Sequence, residues 1–377
     1  SVYLLSPASV LSRQLIMSDK QKITIMDVLD ALRPKVQEII ARQLPREFDE
    51  KSINRFCGEP SYAYDIDSAT KSLLVPIWDM LDRGGKRWRP ILVLLISECL
   101  GGDEELVTPF AYLCEIVHNG TLAVDDIEDS STLRRGKECM HLLFGKDIAI
   151  NAGNAMYFFP LVCLKELREQ KKFDSEVLVK AYELYSQELI NLHFGQGLDI
   201  WWHNDNSEPG VQEYLQMCAY KTGTLARLSA RLATLLSGGD DAQILRIGKF
   251  AESIGVAFQI QDDLLNISGE EFVKGKGLGE DVHEGKRSLM VIHCLLNHPD
   301  KAKRDRLSDI LKMKTDDETL IKEAIAIMRE SKSLKFAQDM ARDIITKAWN
   351  EVKEHLPENE AKGKIKLFAD YLIERKI

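Results

Sequence analysis

Apolar residues recur at helical spacing over most of this chain. The pattern predicts a helix over 25–43, with Pro34 suited to a break or kink, and a second over 65–82. Gly84-Gly85 interrupts it, and Pro90 suits the first turn of a very apolar helix over 91–100 that Gly101-Gly102 ends. A long helix is predicted from 104 to 132. Others follow over 146–171, 174–203, 208–237 and 240–268, then 286–297, 301–313, 316–354 and 359–375. Period-2 alternation is nearly absent and no hairpin pair stands out. The helices between 87 and 268 are apolar around much of their circumference, as buried bundle helices are. Neither a solenoid repeat nor a low-complexity linker divides the chain. The expectation is an all-α, large single-domain helical bundle. Residues 21–60 read as an N-terminal helical extension and 61–377 as the main domain. The polar segment after Pro299 is expected to pack as its outer layer.

Composition narrows the function classes. A chain of 377 residues, 45% hydrophobic, can build a sizeable core. Its net charge of −9 argues against a general nucleic-acid binder, yet leaves room for a local cationic cluster facing small anions. Cysteines 57, 99, 114, 139, 163, 218 and 294 form no C-x-x-C pair, which fits buried thiols in a reducing compartment rather than a disulfide framework or zinc site. No uninterrupted apolar run reaches the roughly 18–20 residues of a transmembrane segment. Residues 1–16 hold no acid and one base, Arg13, and Met17-Ser18-Asp19-Lys20 resembles a natural start. Residues 1–20 therefore read as a targeting remnant or an added segment. The expected location is the cytoplasm, or a plastid or mitochondrion if 1–16 is a transit remnant.

The chemistry concentrates in two acidic clusters. Asp125, Asp126 and Asp129 stand at i, i+1 and i+4, behind an apolar run and ahead of Arg134-Arg135. On a helix, Asp125 and Asp129 share a face, where like charges repel unless a cation intervenes. Asp262, Asp263 and Asn266 repeat the spacing. Carboxylates on apolar helices are costly unless paired or metal-bound, so two such clusters facing each other suit shared Mg²⁺. Basic residues border breaks in the helical pattern at four places: Lys86, Arg87 and Arg89; Arg134 and Arg135; Lys221; and Lys276 with Lys286 and Arg287. Taken one at a time these are ordinary solvated side chains. Together with the acidic clusters they suit two diphosphates, one held with metal and one on bare cations.

These motifs resemble those of the trans-isoprenyl (polyprenyl) diphosphate synthases, most closely the geranylgeranyl diphosphate synthases. Asp125-Asp126-Ile127-Glu128-Asp129 with Arg134-Arg135-Gly136 is similar to the family's first aspartate-rich motif, and Gln261-Asp262-Asp263-Leu264-Leu265-Asn266 to the second. Gly85-Lys86-Arg87-Trp88-Arg89-Pro90, Lys221-Thr222-Gly223 and the Lys276-to-Lys286 run resemble three further motifs, in the family's order over roughly residues 60–300. The second motif ends in Asn266 rather than Asp, a departure common among geranylgeranyl-making members.

The resemblance implies a Mg²⁺-dependent prenyltransferase that condenses isopentenyl diphosphate with allylic diphosphates, acting as a homodimer or higher homo-oligomer. It implies about three Mg²⁺ per site, with Mn²⁺ or Co²⁺ as substitutes, on Asp125, Asp129 and Asp262, supported by Asp126 and Asp263. Arg134, Lys221 and Lys286, helped by Lys276, would hold the allylic diphosphate. Lys86, Arg89, His118 and Arg135 would bind isopentenyl diphosphate without metal. Thr222 and Gln261 would turn oxygen dipoles toward the developing allylic cation, with Gln196 and Asp199 lining the same cavity.

Product length is expected to follow from small residues one turn before the first aspartate. Gly120 and Thr121 leave room below the site, while Tyr157, Phe158 and His193 resemble the floor of a twenty-carbon pocket. On this reading Gly120→Phe shortens the product to farnesyl length. Farnesyl or longer (C25+) synthases remain alternatives, as do a terpene cyclase or a regulatory subunit on the same fold. A cyclase needs no isopentenyl site, and a regulatory chain is expected to lose an aspartate motif. A structural helical protein would bind neither Mg²⁺ nor a bisphosphonate.

Overall fold

The structure, a computed structural model, describes residues 23–204, 207–268 and 279–374. Helix α1 (Ile25–Gln43) opens with a capping box, in which Thr24 and Asp27 satisfy each other's backbone donors. The helix continues through Pro34 rather than breaking, because Val28 and Leu29 before it and Val36, Ile39 and Ile40 after it are buried on the same core. Tertiary packing outweighs the lost backbone bond. Helices α2 (Glu50–Cys57) and α3 (Ile66–Ala69) follow, then a π-helical turn (Thr70–Leu74) and α4 (Val75–Asp82).

Two long central helices come next. Gly84 and Gly85, both at positive φ, turn the chain into α5 (Trp88–Leu100), whose N-cap Arg87 is left-handed. Helix α6 (Glu104–Glu128) carries the first acidic cluster at its C-terminal end. It stops short of the predicted Thr132. Ser130 turns left-handed, and a hairpin of β1 (Leu133–Arg134) and β2 (Lys137–Glu138) follows. Arg135 and Gly136 both take positive φ, the mark of a two-residue type I′ turn. The sequence carries no sign of this hairpin, because its strands are two residues long and show no alternation.

The rest is again helical: α7 (Met140–Leu143), α8 (Lys146–Phe158), α9 (Val162–Glu169), α10 (Ser175–His203), α11 (Val211–Lys221), α12 (Gly223–Leu236) and α13 (Asp241–Ser268). Beyond these lie α14 (Glu280–Glu284), α15 (Leu289–Asn297), α16 (Lys301–Met313), α17 (Glu318–Glu330), α18 (Ser333–Val352) and α19 (Glu360–Glu374). Three predicted helices are broken in two: at Phe159-Pro160-Leu161, at Thr222, and at Ser331-Lys332. The all-α expectation holds, and the described buried apolar residues other than Cys139 form one connected core.

Two close crossings set the walls of the site. A Cβ on Gly120 of α6 would come within 2.8 Å of the Gly153 carbonyl and of Met156 Cβ on α8. A Cβ on Gly255 of α13 would lie 2.8 Å from Gly223 Cα on α12. Each glycine lets two helices approach where a side chain would hold them apart. Lys146–Glu169 is the one stretch among the described residues long and apolar enough to cross a membrane by length and composition. The turn at Pro160 interrupts it, and α8 packs Ala149, Ala152, Gly153 and Met156 inward as a core helix does. The C-terminal segment is more than an outer layer. Helix α19 buries Phe368 beside Trp88, with ring centroids 6.3 Å apart.

Candidate active site

A cavity of about 650 Å³ opens between the C-terminal half of α6, α10, the α11–α12 junction, α13 and the turn before α5. Asp125, Asp129, Asp262 and Asp263 line it, as do Lys86, Arg89, His118, Arg134, Arg135, Lys221, Thr222 and Lys286. The two acidic clusters thus share one space, although 137 residues separate Asp125 from Asp262 in the sequence.

At the acidic end, opposite charges interleave. Asp125 accepts from Gln196 Nε2 at 2.8 Å and from Lys221 Nζ at 3.3 Å, and Arg134 Nη2 approaches at 3.8 Å. Burial alone would raise its carboxyl. Lys221, Gln196, Lys286 and Arg134 more than reverse this and hold it below the ordinary value. Asp129 lies near the same two lysines, but burial and the neighbouring Asp125 outweigh them and push it up to about 7. Lys221 is braced by Asp199 at 2.5 Å, and the two aspartates keep its ammonium charged despite burial. Lys286 sits 3.2 Å from Asp281 and 3.0 Å from Glu284. On α13, Asp262 is exposed toward the cavity. Asp263 is buried, accepting from Tyr214 Oη and Gln259 Nε2, each at 2.8 Å. Burial, then Asp281, pushes its carboxyl up to about 8.

The opposite end is rich in arginine. Arg89 is buried, its guanidinium 4.5 Å from the Trp88 ring, and its Nε has no hydrogen-bond partner. Burial lowers its pKa to about 10. A buried arginine that lines a cavity and keeps one donor unsatisfied fits an anionic ligand. Arg135 reaches Asn119 Oδ1 at 3.2 Å, and Lys86 Nζ lies 6.0 Å from the Phe258 ring.

The Polyprenyl synthetase family profile matches residues 70–328. The chain belongs to the polyprenyl synthetase family. It is 37% identical over 250 residues to a geranylgeranyl pyrophosphate synthase of Rhodocybe pseudopiperita, covering 66% of this chain and 69% of the relative. It is 32% identical over 309 residues to a short chain isoprenyl diphosphate synthase of Methanothermobacter thermautotrophicus, covering 82% and 92%. The solved geranylgeranyl pyrophosphate synthetase of Pyrococcus horikoshii superposes with a TM-score of 0.77 at 28% identity, covering 93% of this chain and 99% of that one.

Within this polyprenyl synthetase fold several expected residues stand elsewhere than the sequence suggested. Gln261 does not reach the cavity. It is buried on the far side of α13 and donates to the Leu372 carbonyl at 3.2 Å. Gln259, two residues earlier and about 200° around the helix, lines the cavity instead and accepts from Thr222 Oγ1 at 2.9 Å. Asp126 also turns inward. It is buried and clamps Arg134, whose Nε donates to it at 2.9 Å, so it orients that arginine rather than facing a ligand. Gly120 sits in the α6–α8 crossing, not at the cavity surface. Phe158 is 66% exposed and points away from the cavity, whereas Tyr157 and His193 line it as an edge-to-face pair 5.8 Å apart. Lys276, like residues 1–20, lies outside the described residues.

Sequence reasoning passed over Glu115, Asn119, Tyr214 and Gln259. The last had a signal, since it shares the helical face of Asp262, Asp263 and Asn266. Among the described residues no three Asp, Glu, His or Cys side chains gather tightly enough to hold a metal ion by themselves. The acidic donors are all oxygens, and the cavity between them is open. That matches Mg²⁺, which takes one or two carboxylates and completes its shell with water and substrate phosphate.

Proposed function

We propose that this polyprenyl synthetase condenses isopentenyl diphosphate with allylic diphosphates and makes geranylgeranyl diphosphate. The observation that carries the reading is the polarity of this cavity: interleaved aspartates and lysines at one end, under-compensated arginines at the other. Relatives named as geranylgeranyl pyrophosphate synthases support the product.

In this reading Asp125, Asp129 and Asp262 hold Mg²⁺, which supplies Lewis-acid stabilisation of the leaving diphosphate when bound. Arg134, Lys221 and Lys286 bind the same diphosphate, and Asp199 and Asp126 orient Lys221 and Arg134. Gln259 and Thr222 turn oxygens toward the carbon that becomes cationic. Lys86, Arg89, His118 and Arg135 hold isopentenyl diphosphate so that its alkene reaches that carbon. The released diphosphate accepts the proton lost on forming the new double bond. Tyr157, His193 and Thr121 bound the hydrocarbon pocket.

A homodimer is part of the proposal. Val179, Tyr182, Ile190 and Phe194 on α10 and Ile150 and Phe158 on α8 are exposed apolar side chains, more than a lone helix face usually leaves in water. Light scattering is expected to give twice the chain mass. The function itself is tested by supplying the full chain with Mg²⁺, isopentenyl diphosphate and each allylic primer, then reading products by mass spectrometry. A twenty-carbon diphosphate is expected. Absence of any elongated product would overturn the proposal.

A further inference from the structure

The arginine-rich end of the cavity is organised around one carboxylate. Glu115 lies on α6, one turn before His118, and is buried at the cavity wall. Its Oε1 accepts from Arg87 Nη1 and from Asn119 Nδ2, the latter at 2.8 Å. Arg87, at the left-handed N-cap of α5, also donates to the Leu81 carbonyl at 2.6 Å. Asn119 Oδ1 accepts from Arg135 Nη1 at 3.2 Å, and that nitrogen lies 3.4 Å from the Met80 carbonyl. One chain of contacts thus joins the turn before α5, the middle of α6 and the hairpin. A simple structural ion pair would end at Arg87. This one continues through Asn119 to an arginine that faces the cavity.

We propose that Glu115 is a positioning residue for the metal-free diphosphate: it anchors Arg87 and, through Asn119, aims Arg135 into the cavity beside Arg89. The inference rests on the reading that isopentenyl diphosphate occupies this end. The physics is electrostatic. Arg87, Arg89 and Arg135 are like charges crowded in a desolvated pocket, and their repulsion is strong there. One buried carboxylate cancels part of that charge and fixes two of the three guanidinium groups before substrate arrives. Enough positive charge is left for a diphosphate, whose binding then requires less reorganisation.

The test separates positioning from stability. Glu115→Gln keeps the shape and removes the charge. It is expected to raise KM for isopentenyl diphosphate by about ten-fold while leaving KM for the allylic substrate and the product length unchanged. Asn119→Ala, which cuts the link to Arg135 but leaves the Arg87 pair, is expected to act in the same direction more weakly. Glu115→Asp is expected to recover part of the loss. Should Glu115→Gln fail to fold, the Asn119→Ala comparison decides the question alone. Equal shifts in both KM values, or an unchanged isopentenyl KM in the folded variants, would overturn the inference. Wild-type turnover is measured first: its absence removes the proposed function, whereas normal wild-type turnover with unaltered variants removes only the role of Glu115.

Discussion

The two ends of the cavity solve the problem of buried charge in opposite ways. At the acidic end three cations already have carboxylates: Lys221 leans on Asp199 and Asp125, Lys286 on Asp281 and Glu284, Arg134 on Asp126. What remains unbalanced there is negative, with Asp129 pushed up to about 7 by burial and Asp125. At the arginine end the balance is positive, since Glu115 serves a cluster of arginines and Arg89 keeps an unsatisfied donor. On the proposed reading a diphosphate enters the second end unaided and the first only with added cations, so that the sign of the residual charge sorts the same anionic group into two sites.

The sharpest break of this contrast is at Asp125. Asp125→Ala is expected to lower kcat by about 10³-fold or more with Mg²⁺ present, because charge stabilisation of the leaving diphosphate is lost. Full activity in a steady-state assay of that variant would end the metal assignment. Arg89→Gln attacks the other end. KM for isopentenyl diphosphate is expected to rise about 10²-fold, as for loss of a desolvated charge partner, with the allylic KM little changed. If the allylic KM rose equally, the two ends would not be separate sites.

A third comparison lies within one turn of α6. Thr121 lines the cavity, whereas Gly120 faces α8. Thr121→Phe is expected to place a ring in the hydrocarbon path and shift the product toward fifteen carbons by mass spectrometry. Gly120→Phe is expected to destabilise the fold by roughly 3 kcal/mol or more, since its side chain would enter the helix crossing. A stable Gly120→Phe enzyme that makes farnesyl diphosphate would reverse this assignment.

That correction shows what the sequence could convey. The helices were legible because burial imposes a 3.6-residue period, and both acidic clusters stood out because carboxylates on apolar helices need a reason. Direction around the helix was less legible. Asp126 and Gln261 each differ from a cavity-facing neighbour by one or two residues, hence by 100–200°. Only packing against the hairpin and α19 decides where they point. Glu115 and Asn119 were invisible for another reason. Their partners Arg87 and Arg135 lie 28 and 16 residues away, and no local pattern records such a pairing.

The smallest expected effect tests the arginine end without substrate. His118 is held well below its ordinary pKa by desolvation first, then by Arg89, Arg135, Arg134 and Arg87. The folded protein therefore keeps this imidazole neutral at pH values where the unfolded chain protonates it, below about 6.5. Above that pH the group contributes no difference between the two states. Below it the unfolded state binds the extra proton, so stability falls as pH falls, by up to about 1.4 kcal/mol per pH unit. His118→Gln removes this titration. Urea unfolding of both proteins at pH 7.5 and 5.5 is expected to show the wild type losing more stability than the variant on acidification. Equal losses would mean that the imidazole takes up its proton in the folded state, and that the arginines around it are better compensated than their contacts indicate.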